Sequence, residues 1–297
     1  MRRRRRLGAK HAFTAWAVLV YAFLFLPILV MAIFAFNKPS PAALAAFHGS
    51  NICSLPPAQV GNIAVWNGFT TCWFSAGLHD PTYIPAIVVS LQIAAEAAVI
   101  STVLGLCAAL ALARMKPRLR APFDALVYLT LVVPEIVIAV ASLIFFVQAR
   151  NYFHAFPSLG KVTILIGQVV FNASVAMLII RARFVGMGDV LEEAAYDLGA
   201  GRLRTFWSIV LPLIVPAIVS AFLIALTTSF DEYAVASFVV GTSATFPIFL
   251  YGALRFPSRL PEVIAVAVVV MTVSLVVVVA AEVGRRVAER RLGAVEG

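Results

Sequence analysis

Four carboxylic acids stand inside long apolar runs of this sequence: Glu96, Glu135 and the adjacent pair Asp231 and Glu232. An ionisable group at membrane depth costs about 2.5–3.5 kcal/mol on insertion scales, and such groups usually face a cavity or mark a pathway. The runs around them hold no interior Lys, Arg or His to neutralise them. At about 1.5 Å per helical residue, Glu96 and Glu135 each fall near mid-membrane, while Asp231 and Glu232 fall near the outer end of their run. Two acidic levels along one direction would suit a linear, multiply charged cation, with Phe230 and Tyr233 available for cation–π contact. Each acid also has a plainer reading. Glu96 would hydrogen-bond a neighbouring helix or a partner chain, Glu135 sits beside the helix-breaking Pro134, and Asp231–Glu232 would be a solvated helix end.

The elements that must carry these acids follow from composition. Hydrophobic residues fill 62% of the 297 positions and charged residues 12%, with a mean hydropathy of +0.98, far above the needs of a soluble domain. A hydrocarbon core of about 30 Å takes roughly 20 apolar helical residues to cross. Six runs meet that length: Phe13–Phe36, Tyr83–Arg114, Phe123–Gln148, Lys161–Arg183, Trp207–Val235 and Pro261–Gly284. Long, non-alternating runs suit helices rather than barrel strands. The expectation is an all-α integral membrane protein of six transmembrane helices.

Most of the 23 basic residues cluster at Arg2–Arg6 and Lys10, at Arg114, Lys116, Arg118 and Arg120, at Arg181, Arg183, Arg202 and Arg204, and at Arg285, Arg286, Arg290 and Arg291. The positive-inside rule then puts both termini in the cytoplasm, leaving Lys38, Arg150, Lys161, Arg255 and Arg259 outside. The expected division is a basic N-terminus at 1–12, a membrane domain at 13–284 with an outer loop at 37–82 and a cytoplasmic loop at 185–206, and a tail at 285–297. Orientation and anionic lipid headgroups account for the net charge of +9, so no nucleic-acid partner is expected. The first run is too long for a cleavable signal peptide. The outer loop holds Cys53 and Cys72, a possible disulfide or two buried thiols, while Cys107 falls within the second run. Rich in Pro, Gly, Asn and Trp, that loop has no strong helical period.

Between the fourth and fifth runs lies VLEEAAYDLGAGRLRTFWSIVLP, Val190–Pro212. Asp189 and Glu192 form an acidic capping pair over the positive end of a helix dipole. Leu191, Ala194, Ala195 and Leu198 follow at i, i+3, i+4 and i+7, an apolar stripe with small residues at its centre. Gly199 stands where a left-handed stop is wanted, and Gly201 adds a second break. The resulting helix of roughly nine residues is below the ~12–15 at which an isolated helix becomes marginal in water, so it needs support. It is either a connector packed on its own chain or a docking helix whose alanines admit a partner's backbone.

Glu193-Ala194-Ala195, three residues to Gly199, nine more to Ile209, then Leu211-Pro212, resembles the EAA motif of inner-membrane permeases of ATP-binding-cassette importers. The resemblance implies a type I importer permease fold and a coupling helix seated in a cytoplasmic ATPase. It further implies two such ATPase subunits, a homologous second permease and an extracytoplasmic substrate-binding protein. The segments LTLVVPEIVIA and LIALTTSFDEYAVASFV are similar to those of spermidine/putrescine importer permeases, specifically the second permease subunit, though relatives with other solutes share them. The chain lacks a phosphate-binding glycine loop, since Gly160-Lys161 is followed by Val162 without the preceding glycine, and it lacks a Rossmann fingerprint, metal-ligand cluster or nucleophile constellation. His11, His48, His79 and His154 are scattered. No cofactor is therefore expected on this chain; ATP and Mg2+ would belong to the ATPase. Asn172-Ala173-Ser174 matches a glycosylation sequon but lies inside the fourth run, where it serves better as polar lining.

Overall fold

The computed structural model of the chain describes residues 2–41, 65–187, 190–242, 244–255 and 260–293. The described residues form helices α1 (Arg2–Phe34), α2 (Cys72–His79), α3 (Tyr83–Ala113), α4 (Pro117–Val132), α5 (Glu135–Tyr152), α6 (Lys161–Met187), α7 (Val190–Asp197) and α8 (Arg202–Thr205). A π-helical turn at Phe206–Val210 follows, then α9 (Leu211–Asp231), α10 (Ala234–Val239), α11 (Phe246–Ala253) and α12 (Leu260–Gly293). Among these residues six helical stretches are long and apolar enough to cross a membrane: Phe13–Phe34, Tyr83–Ala113, Glu135–Tyr152, Lys161–Gly186, Arg202–Asp231 and Leu260–Ala280.

Two of the expected runs are broken. The third is split at Val133 and Pro134, both extended, because Pro134 has no N–H to donate and its ring disfavours helical backbone at Val133. The fifth ends at Asp231; Glu232 turns extended with ψ 118° and α10 starts two residues later. The outer loop also departs from expectation, since α2 lies within it.

The chain divides into two compact units, Met1–Ile84 with Leu250–Val273, and Pro85–Phe249 with Ser274–Gly297. In the first, Asn37 organises the residues after α1. Its side chain donates to the Val65 carbonyl and accepts from Asn67 N–H, both at 2.7 Å, and its own carbonyl accepts from Trp73 Nε1 at 2.8 Å. Trp73 then packs with Ala35 and Ala265. Cys72 is disulfide-bonded; Cys53, the partner considered above, lies outside the described residues. Cys107 is free and exposed.

In the second unit, α6 packs against α9, and α10 against both α5 and α6. Lipid is as apolar as leucine, so close approach and interhelical hydrogen bonds hold such helices rather than the removal of oil from water. Thr163 Oγ1 accepts from Gly160 N–H at 2.8 Å and lies 2.9 Å from the Val239 carbonyl, fastening the start of α6 to the end of α10. Ser90 Oγ accepts from Phe246 N–H at 2.7 Å. Where α3 crosses α6, a Cβ on Gly105 would come within 2.7 Å of Ala176 Cβ and 2.8 Å of Met177 N. The obstacle includes backbone, so neither helix can yield locally. Gly105→Ala should cost about 1–3 kcal/mol, the usual range for overpacking, and lower the melting temperature of the detergent-solubilised chain. Unchanged melting would show that the crossing is not a tight contact.

Candidate functional site

The loop helix α7 has Glu192 and Glu193 in its first turn; Asp189, the other half of the expected capping pair, lies outside the described residues. Glu192 Oε2 is 4.0 Å from Arg114 Nη2, an exposed pair worth under about 1 kcal/mol. At the other end Gly199 takes φ +79°. Ala200 N–H bonds the Ala195 carbonyl at 3.0 Å and Gly199 N–H the Tyr196 carbonyl at 2.9 Å, the pairing that closes a helix through a left-handed residue. The chain also breaks at Gly201, but there φ is −72°, a value open to any residue. The expected apolar stripe divides by exposure. Ala195, at 5%, faces inward, whereas Leu191, Ala194 and Leu198 are exposed, Leu198 to 89%. At 100° per residue Ala195 lies on one edge of that stripe and meets the chain, leaving Leu191, Ala194 and Leu198 exposed among the described residues.

After α7 the motif enters the membrane through the π-helical turn, with Leu211 N–H bonding the Phe206 carbonyl. Ile209 and Leu211 are half-buried and Pro212 is exposed. Pro212 has no N–H for the carbonyl four residues earlier, and the widened turn accommodates that gap while keeping α8 and α9 on one helical path.

A cleft in the second unit is lined by Glu135 and Ile138 of α5, by Gly167, Gln168, Phe171 and Asn172 of α6, and by Thr228, Glu232 and Val235. The break after α9 aims Glu232 here. Its Oε1 accepts from Val235 N–H at 2.5 Å, and its Oε2 from Ala236 N–H at 2.9 Å and Gln168 Nε2 at 3.3 Å. The carboxylate therefore caps α10, whose first N–H groups have no helical acceptor. Ser229 Oγ donates to Gln168 Oε1, fixing the amide so that its NH2 points at Glu232. Asn172 is only 2% exposed, yet its Oδ1 has no hydrogen-bond partner among the described residues. A buried acceptor left open costs about 1–3 kcal/mol, which a donor entering the cleft would recover. The interior space is about 20 Å3, room for about one water.

Of the six acids and aromatics expected along a path, the cleft unites Glu135 and Glu232. Glu96 stands elsewhere with Lys161 Nζ 2.7 Å from its Oε1; the counter-charge absent from its own run comes from the start of the fourth. Asp231 is exposed outside the cleft lining. Phe230 stacks on Phe246 at 6.5 Å between ring centroids, and Tyr233 is half-buried outside the lining. Phe171 is the cleft's aromatic. Sequence reasoning passed over Gln168, Phe171 and Thr228, although Gln168 and Asn172, four apart in an apolar helix, mark one polar face. It also passed over Asp124, which Arg181 binds with both terminal nitrogens and Arg120 meets at 3.2 Å.

Known proteins resemble this chain over most of its length. The putrescine transport system permease protein PotI of Escherichia coli K12 is 31% identical over 263 residues, covering 86% of this chain and 85% of that protein. The spermidine/putrescine transport system permease protein PotC of Haemophilus influenzae is 30% identical, over 89% of this chain and 93% of its own. Among solved structures, a bacterial ABC transporter involved in the import of the acidic polysaccharide alginate superposes with a TM-score of 0.62 at 15% identity, covering 91% of this chain and 98% of that one. The inward-facing MetNI methionine ABC transporter gives 0.57 at 18% identity, over 69% and 95%. The six apolar helices thus have the fold of ABC importer permeases, and residues 101–291 match the family model for binding-protein-dependent transport system inner membrane components. The chain belongs to that family of inner-membrane transport permeases.

Proposed function

We propose that this chain is the permease subunit through which an ATP-driven importer passes a polyamine of the putrescine or spermidine class across the inner membrane. The observation that carries this reading is the cleft, where two carboxylates and an open buried amide oxygen converge. A primary ammonium has three N–H donors and no acceptor, so it is the group that satisfies such a lining. The relatives named for putrescine and spermidine transport support the same substrate class. The fold by itself would not, since it also serves an alginate importer.

In this reading both termini lie in the cytoplasm and α7 seats its exposed leucines in an ATPase. A homologous permease completes the pathway, two ATPases supply ATP and Mg2+, and an extracytoplasmic binding protein delivers the solute. Closure of the ATPases displaces α7 and turns the pathway outward. The incoming ammonium exchanges water for Glu135, Glu232 and Asn172, and reopening releases it inward. In a reconstituted complex of all these subunits, putrescine or spermidine should stimulate ATP hydrolysis several-fold while neutral sugars do not. Stimulation by a neutral solute alone would overturn the polyamine assignment and leave the importer assignment standing.

A further inference from the structure

The last turns of α6 are gripped from two sides. Arg181 reaches α4, where it forks onto both oxygens of Asp124. Arg183 reaches α9, where its Nε donates to the Leu213 carbonyl at 3.2 Å. Two residues apart on a helix, these side chains leave about 200° apart, so the end of α6 stands between the two helices with one arginine extended to each. The Arg181 and Asp124 side chains are 13% and 21% exposed, and Arg120 Nε adds a third donor to Asp124 at 3.2 Å.

Both gripped helices end at the acidic cleft. Helix α4 stops at Val132, and after Val133 and Pro134 comes Glu135. Helix α9 stops at Asp231, and the next residue is Glu232. Helix α6 itself contributes Gln168 and Asn172. In the other direction α6 ends at Met187, and α7 starts three residues later at Val190. Helix α4 has no buried residue of its own. Among the described residues its ties to α6 include the Asp124 fork and a Thr130–Ser174 hydroxyl contact at 3.2 Å, and Val127 packs on the cluster that holds Ala176 and Ile180. The fork is the one among these with charge and directionality.

We infer that Arg181 and Arg183 are positioning residues: they pass a displacement of α7 to α4 and α9 and so change the spacing of Glu135 and Glu232. Neither arginine touches the cleft. Arg181 acts through α4, about 12 Å from Asp124 to Val132 ahead of the break at Pro134, and Arg183 through α9, about 27 Å from Leu213 to Asp231, at 1.5 Å per residue. The inference rests on the proposed importer reading.

Arg181→Lys keeps the charge but loses the planar two-pronged grip. Arg183→Gln alters an exposed side chain and spares the packing. Each variant is assembled with its ATPases, partner permease and binding protein, its subunit ratio checked, and substrate uptake measured against ATP hydrolysed. Both should keep basal hydrolysis and the substrate KM. Substrate moved per ATP should fall, by about tenfold for Arg181→Lys and about threefold for Arg183→Gln, within the range by which residues along a coupling route act. A merely structural role would lower complex yield or melting temperature and leave that ratio intact. An unchanged ratio in the assembled variants overturns the inference, and if Arg181→Lys fails to assemble, Arg183→Gln decides alone. A wild-type complex whose hydrolysis no substrate stimulates would instead sink the importer reading.

Discussion

Gly199→Val should abolish import by the assembled complex while the isolated chain keeps its melting temperature and helix content. The backbone at Gly199 has φ +79°, where a β-branched residue is a steric outlier costing roughly 1–3 kcal/mol. Among the described residues, nothing beyond its two chain neighbours lies within 4 Å of where its Cβ would be, so the penalty comes from backbone conformation. It falls on an eight-residue helix, too short to persist by its own propensity and dependent on its two ends. Relaxing φ would break the bonds that close the helix at the Ala195 and Tyr196 carbonyls and redirect Leu198. Helices far from the loop would feel nothing.

Asparagine makes the control, because it tolerates the left-handed region. Gly199→Asn should retain most uptake, Gly199→Ala an intermediate amount, and Gly199→Val less than about a tenth, since each 1.4 kcal/mol is tenfold in an equilibrium. Uptake and co-purification of the ATPases are the measurements. Equal uptake in all three would mean that the left-handed stop plays no part in docking. Loss in all three alike would point to the missing hydrogen side chain, an approach of partner backbone, rather than to φ.

Much of this architecture is readable from residue types, and the failures have particular causes. Hydropathy finds the six runs because a membrane helix needs little but length and apolarity. The break at Pro134 was visible in the residue itself, yet a continuous apolar count passes over it. The break at Glu232 carries no glycine or proline. It is made by a carboxylate turning back onto the N–H groups of Val235 and Ala236, a cap written at i+3 and i+4 but masked by the apolar sequence around it. The partner of Glu96 is invisible to a count along its own run, and the 31 residues of α3 reach about 46 Å against a core of about 30 Å, so a count from Tyr83 fixes no membrane level. Contacts of Glu96 with Lys161 and of Ser101 with Val169 put the start of α6 level with the middle of α3. The joining of Glu135 to Glu232 depends on how α5, α6 and α10 pack, and no spacing along the chain encodes it. The loop helix was the most legible part because all its determinants lie within one short segment.

Neutralising the two cleft acids one at a time should separate recognition from support. Glu135 is exposed at the start of α5, with no hydrogen bond to its carboxylate among the described residues. Glu135→Gln therefore removes charge and little else. It should leave melting unchanged and raise the KM for putrescine uptake about tenfold, since a hydrogen bond to a charged group contributes about 1.5–3 kcal/mol. Glu232→Gln removes charge and also an acceptor, because its new NH2 would face one of the N–H groups of Val235 or Ala236 that the carboxylate now satisfies. It should raise KM at least as far, lower the melting temperature, and expose the amides of α10 to faster hydrogen exchange. The two effects on KM should not add, because the carboxylates line one cleft and would share one ammonium. If Glu135→Gln leaves KM untouched while Glu232→Gln loses both uptake and stability, Glu232 is a helix cap alone and the ammonium site lies elsewhere. If both raise KM and only Glu232→Gln loosens α10, then one carboxylate both holds the start of that helix and meets the substrate, so an arriving cation competes with α10 for the same two oxygens.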